Sequence, residues 1–162
     1  MRRKLLEMRK RFLGIGHESV AYALCRLADI LALEKRLAKA ESTQRNRLAI
    51  REMKFPDSWR TFDTRSRLGG ILVAQNQCSE AEPLLLSGYA GMSRQQDRIA
   101  FPDKPRLQEA LERMVQLYEV SGRPDEAAEW RKKRVELDKA SGSANLMPPA
   151  NSSSTNMTDR AP

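Results

Sequence analysis

Apolar residues recur along this chain at spacings of three and four, the period of one face of a helix. Leu5, Met8 and Phe12 predict a leading helix over 4–13, ended by Gly14 and Gly16. Val20, Leu24, Leu27 and Leu31 predict a second helix, capped by Ser19 and running to about Glu34. After a short polar turn, Leu37, Ala40, Leu48 and Met53 predict a third. Pro56 disfavours helix at Phe55, and Ser58 can cap the helix that carries Trp59, Phe62, Leu68, Ile71 and Leu72. Gly69 and Gly70 in mid-helix cost about 1 kcal/mol each against alanine, which implies that another backbone comes close there. A Ser-x-x-Glu capping box, Ser79 to Glu82, is expected to open the next helix, with Pro83 tolerated in its first turn. Gly88 and Gly91 are expected to weaken its end. Ile99 to Pro105 reads as a longer, stiff connection. Leu107, Leu111, Met114, Leu117 and Tyr118 mark another helix, closed by Ser121 and Gly122. The last runs from Pro124 to Lys139, with Trp130 towards the core and Arg131 to Arg134 forming a basic edge that faces solvent or a partner.

Three stretches share one plan. Arg26-Leu27-Ala28-Asp29-Ile30-Leu31 is followed by Lys39-Ala40-Glu41, Arg67-Leu68-Gly69-Gly70-Ile71-Leu72 by Glu80-Ala81-Glu82, and Arg113-Met114-Val115-Gln116-Leu117-Tyr118 by Glu126-Ala127-Ala128. In each, a small or modest residue (Ala28, Gly69, Val115) precedes an alanine by twelve positions, and the alanines lie 41 and 46 residues apart. A period in that range means stacked repeats, each a supersecondary unit that cannot bury its apolar face alone. The expected repeats span about 19–54, 58–96 and 105–139, making 1–139 one helical domain, and 140–162, rich in Ser, Asn, Pro, Thr and Met, reads as a disordered tail. The repeat core is expected to contain Leu27, Ala28, Leu31, Ala40, Leu68, Gly69, Leu72, Ala81, Met114, Leu117, Tyr118 and Ala127.

These helix pairs resemble tetratricopeptide repeats of the longer, kinesin-light-chain-like type. The segment from Leu6 through Leu13-Gly14-Ile15-Gly16-His17 to Ala21 resembles that family's inter-repeat segment, Leu27 to Leu31 with Ala38 to Glu41 its helix-pair core, and Leu48 to Glu52 its second-helix ending. The second repeat keeps the pattern through Glu82-Pro83-Leu84-Leu85-Leu86, and the third keeps Asp125-Glu126-Ala127 but has Val115 where the family prefers Ala or Gly. The resemblance implies an all-α, right-handed superhelical solenoid of antiparallel helix pairs, about three repeats plus one leading helix, used as a scaffold with many partners. It also implies that the first helix of each repeat lines a concave groove. Arg26, Arg67 and Arg113, each two positions before the small site, would then form a column, with Asp29, Asp63 and Gln116 beside them. Arginine's planar donors suit carboxylates or phosphates, so a protein or peptide partner, acidic or C-terminal, is one expectation for this groove. The competing one is that Asp29, Asp63 and Glu112 neutralise the arginines internally, with Asp29–Arg26 and Glu109–Arg113 at helical pairing distance. The chain also looks like the C-terminal part of large bacterial proteins, some of which carry an upstream serine/threonine kinase domain. Its start resembles the middle of a repeat, an end cut from a longer array.

Composition narrows the function classes. With 40% hydrophobic and 31% charged residues, the chain suits a helix-rich soluble protein, and no apolar run is long enough to span a membrane. Net charge is +8, and residues 1–55 hold all of that excess, 14 Lys/Arg against 6 Asp/Glu. A basic end of that kind, including Arg2, Arg3, Lys4, Arg9, Lys10 and Arg11, could attract nucleic acid. No aromatics interleave with the cations, as a single-strand-binding surface would want, so a solvated helix face is the plainer reading. Cys25 and Cys78 read as small buried residues in a reducing, cytoplasmic compartment, and a single histidine, His17, excludes His-rich metal chemistry. No catalytic constellation, kinase motif or cofactor fingerprint is present. The expectation is therefore a non-catalytic interaction scaffold without cofactor, with self-association through the leading helix as a further expectation.

Overall fold

Among the described residues of the computed structural model six α-helices follow one another, α1 (Glu18–Leu33), α2 (Leu37–Lys54), α3 (Trp59–Ala74), α4 (Cys78–Ser93), α5 (Pro105–Val120) and α6 (Pro124–Ala144), with two short 3-10 turns, Gln96–Arg98 and Phe101–Asp103, between α4 and α5. The structure describes residues 18–144, the side chains of residues 101 and 141–144 excepted. The leading helix expected over 4–13, its Leu5, Met8 and Phe12, the basic residues around them and residues 145–162 lie outside the described residues. Among the described residues there is no strand, and none of the helices is long and apolar enough to cross a membrane. Neighbouring helices pack as three pairs, and α3 also packs on α5. The architecture is therefore an all-α stack of helix pairs.

The turn inside each pair is built the same way. Lys35, Asn76 and Gly122 adopt the left-handed conformation, with φ of 54°, 60° and 69°. One residue later the backbone N–H reaches back to the carbonyl five residues earlier, Arg36 to Leu31 at 2.8 Å, Gln77 to Leu72 at 2.9 Å and Arg123 to Tyr118 at 2.8 Å. This is the Schellman closure, which satisfies carbonyls that the helix end would otherwise orphan. The three turn residues are 41 and 46 positions apart, the spacing of Ala40, Ala81 and Ala127, so the repeat is geometric as well as textual.

Those three alanines are fully buried. The largest apolar cluster joins α3 to α6 through Leu68, Leu72, Val73, Ala81, Leu85, Met114, Leu117, Tyr118 and Ala127, with Leu48 and Trp130 packed against it. A second cluster holds Trp59, Phe62, Met92, Ile99, Leu107 and Ala110, and a third holds Val20, Ala21, Leu24 and Ile50 with Leu27 beside them. Ala28 and Leu31 are buried as well. Glycines set how closely α3 and α4 approach. A Cβ on Gly69 would lie 2.6 Å from Leu85 and 3.2 Å from the Ala81 carbonyl oxygen, and one on Gly88 would lie 2.8 Å from the Phe62 carbonyl oxygen and the Ser66 nitrogen. The expected close approach at Gly69 is therefore real. α4 continues through Gly88 and Gly91 to Ser93, and both glycines are points of contact with α3.

Several local expectations are corrected. α1 is already helical at Glu18, so Ser19 does not cap it. α4 starts at Cys78, one residue ahead of the expected box; Gln77 holds the cap position without a side-chain hydrogen bond, and Ser79 sits in the first turn. Pro83 then falls in the second turn, where its missing N–H leaves the Ser79 carbonyl without its helical partner. Ser58 does cap α3, accepting from Arg60 N at 3.3 Å. α6 runs to Ala144 rather than 139, there being no proline before Pro148 to stop it. Met53 is 69% exposed. The buried face of α2 follows Ala40 at helical steps and carries Gln44, Arg47 and Arg51, with Ile50 buried beside them.

Candidate functional site

The first helices of the pairs bring a set of charged side chains to one face. Position by position, at the repeat offsets of 41 and 46, Tyr22, Asp63 and Glu109 correspond, then Arg26, Arg67 and Arg113, then Asp29, Gly70 and Gln116. A carboxylate four residues before an arginine on a helix is placed to pair with it. Arg67 has Asp63 there, with Nε 3.2 and 3.1 Å from its two oxygens, and Arg113 has Glu109, with Nη2 3.0 Å from Oε2. Arg26 has Tyr22 instead. It is exposed and makes no ion pair among the described residues. The expected column of three is thus two converging arginines and a third outside the network.

Arg67 is the hub. Its Nη1 donates to Asp29 Oδ1 at 2.8 Å on α1 and its Nη2 to Glu109 Oε2 at 3.2 Å on α5, so one guanidinium ties all three pairs together. Burial works against its charge, but Asp63 and the other carboxylates outweigh that penalty and hold its pKa above the ordinary arginine value. Arg113 lies over Gly70, where an added Cβ would be 2.8 Å from its side chain, and donates through Nη1 to Ser66 Oγ at 3.1 Å. Burial lowers its pKa and that of Arg47. Arg47 reaches across from α2, Nη2 3.7 Å from Asp63 Oδ2, while its Nε and Nη1 find no hydrogen-bond partner among the described residues.

Two adjoining cavities open on this face. One, of about 270 Å³, is lined by Asp29 and Ala32 of α1, Gln44 of α2, Arg67 and Gly70 of α3, and Arg113 and Gln116 of α5. The other, of about 640 Å³, continues past the shared Arg113 and Gln116 to Glu109, Glu112, Arg134 and Asp138. Of the six expected groove residues, Asp29, Arg67, Arg113 and Gln116 therefore line a cavity, Asp63 is buried with Arg67, and Arg26 lies elsewhere. Internal pairing is present: Glu109 pairs with Arg113 as expected and Asp63 with Arg67, whereas Asp29 pairs with Arg67, not Arg26, and Glu112 pairs with Arg134 of α6. Arg131 likewise pairs with Glu119, so the basic edge of α6 is partly neutralised by α5. The buried Gln44 and Arg47, and Gly70 as the seat of Arg113, are features that apolar periodicity does not signal; the step of four, seven and eleven from Ala40 does.

The chemistry is that of recognition. Cys25 is buried, 3.9 Å from Asp29 Oδ2, and burial raises its thiol pKa, which disfavours the reactive thiolate. Among the described residues no group of three His, Cys, Asp or Glu side chains is arranged to hold a metal ion.

No family model and no curated protein sequence matches the chain. Its structure is similar to the crystal structure of BtubC (BKLC) from P. vanneervenii, with a TM-score of 0.73 and 14% identity. The superposition covers 99% of this chain and 62% of that one, so the chain spans less than two thirds of its neighbour's length. The likeness is one of fold, an all-α protein built by stacking helix pairs.

Proposed function

We propose that this chain is a non-catalytic interaction module of tetratricopeptide-like repeats that holds a segment of a protein partner along the face formed by α1, α3 and α5. The observation that carries this reading is the pair of adjoining cavities on that face, sharing Arg113 and Gln116, into which helices of all three pairs present polar side chains. Concave, preformed surfaces with a few fixed polar groups are where ligands bind, and stacked repeats use such surfaces for partners. Gln116 is exposed and lines both cavities, which makes it the place to test this. Replacing it with tryptophan should fill the junction and weaken binding of a partner isolated with the native chain by at least about tenfold, with helix content and melting temperature unchanged. Undiminished affinity in Gln116→Trp would contradict the reading.

A further inference from the structure

The accepting groups Asp29 and Glu109 lie nearer the groove's opening than the donors Arg67 and Arg113. Every guanidinium nitrogen of Arg67 is engaged: Nε by Asp63, Nη1 by Asp29, Nη2 by Glu109. Both terminal nitrogens of Arg113 are engaged by Ser66 and Glu109. Gln44, 1% exposed on the floor of the smaller cavity, spends its amide N–H₂ on the Thr64 carbonyl at 3.3 Å. Its side-chain oxygen accepts no hydrogen bond among the described residues, although it lines that cavity. Burial is asymmetric in the same sense. The side chains of Arg67 and Arg113 are 10% and 16% exposed, whereas those of Asp29 and Glu109 are 38% and 43% exposed. Arg106 and Arg134 at the rim are each already paired, with Glu109 and Glu112. Arg67 and Arg113 lie beneath, and Asp29 and Glu109 face outward.

Resting on the reading of this face as a partner groove, we infer that its occupant is a segment bearing lysine or arginine side chains. A carboxylate oxygen keeps lone pairs after accepting one hydrogen bond, so Asp29, which accepts one on each oxygen, and Gln44 can accept from an incoming ammonium or guanidinium without breaking a contact, and Glu109 adds its negative charge beside them. An acidic segment would meet the carboxylates of Asp29 and Glu109 before the buried guanidinium groups of Arg67 and Arg113. Like charges brought together at an interface are the means by which a wrong partner is rejected.

The test is fluorescence anisotropy of the full chain at low salt with a labelled lysine–alanine peptide and its glutamate–alanine counterpart. The lysine peptide should bind, and Asp29→Asn and Glu109→Gln should each weaken it about tenfold. Arg134→Ala, which frees Glu112 at the rim, should tighten it roughly threefold, and this variant decides the matter if the other two lose their fold. Lysine-peptide binding that none of the three changes would overturn the inference. Binding of the glutamate peptide that is lost in Gln116→Trp would overturn it too while leaving the groove itself in place. Binding of neither peptide in a manner sensitive to Gln116→Trp would remove both.

Discussion

The second helices of the first two pairs hold the same register and fill it with opposite chemistry. Ala40, Gln44, Arg47 and Arg51 of α2 stand 41 positions before Ala81, Leu85, Gly88 and Met92 of α4, and all eight are buried. On α4 this stripe is apolar or absent, and the α3 backbone comes against Gly88 directly. On α2 the corresponding position is Arg47, whose side chain extends to Asp63 on the following pair. The difference separates two tasks. Small and apolar residues on this stripe set the distance within a pair, whereas polar ones couple one pair to the next, through the Asp63 that also holds Arg67 in the groove.

The largest effect should come from cutting the polar coupling at its centre. Asp63→Ala leaves Arg67 and Arg47 buried beside a missing carboxylate, a kind of loss that costs about 3–5 kcal/mol, and urea unfolding should show it. A loss below that range would mean that Asp29 and Glu109 suffice for Arg67. Next is the apolar stripe: Ala81→Leu overpacks the contact between α3 and α4 and should cost about 1–3 kcal/mol, so an unchanged melting temperature would place Ala81 wrongly. Arg47→Met removes a buried charge with two unpartnered nitrogens and leaves Asp63 still paired with Arg67. Its stability should stay within about 1 kcal/mol of the native chain or exceed it. If it were as damaging as Asp63→Ala, Arg47 would be essential to the coupling.

The smallest effect concerns the turns. Lys35 adopts the left-handed conformation that Gly122 occupies in the third pair, and a side chain there is strained. Lys35→Gly should therefore stabilise by about 0.5–1 kcal/mol. Gly122→Lys should do the reverse, as both report on one turn geometry.

What could be read from the residues follows the same division. The alanine period and the small residue twelve positions earlier are short-range constraints of close packing, and they place the pairs, their turns and most of the core, including Leu68, Leu72, Met114, Leu117 and Tyr118. The polar seam escapes that reading because apolar periodicity looks for Leu48 and Met53 on α2, while the face set by Ala40 carries Gln44, Arg47 and Arg51. The groove was half legible. Arg67 and Arg113 converge because each has a carboxylate one turn earlier, and Arg26 does not because Tyr22 stands in that place. The capping box failed for a local reason: the Schellman turn ending at Gln77 starts α4 one residue ahead of Ser79, and no side chain at the cap competes with it.

The central claim is that the partner lies along the first helices, over Gln116. Photo-crosslinking from a benzophenone side chain at position 116, compared with one at exposed Ser42 on α2, tests this directly. The account predicts that a partner bound by the native chain is captured from position 116 and not from position 42. Capture from position 42 alone would place the partner on the second helices and contradict it.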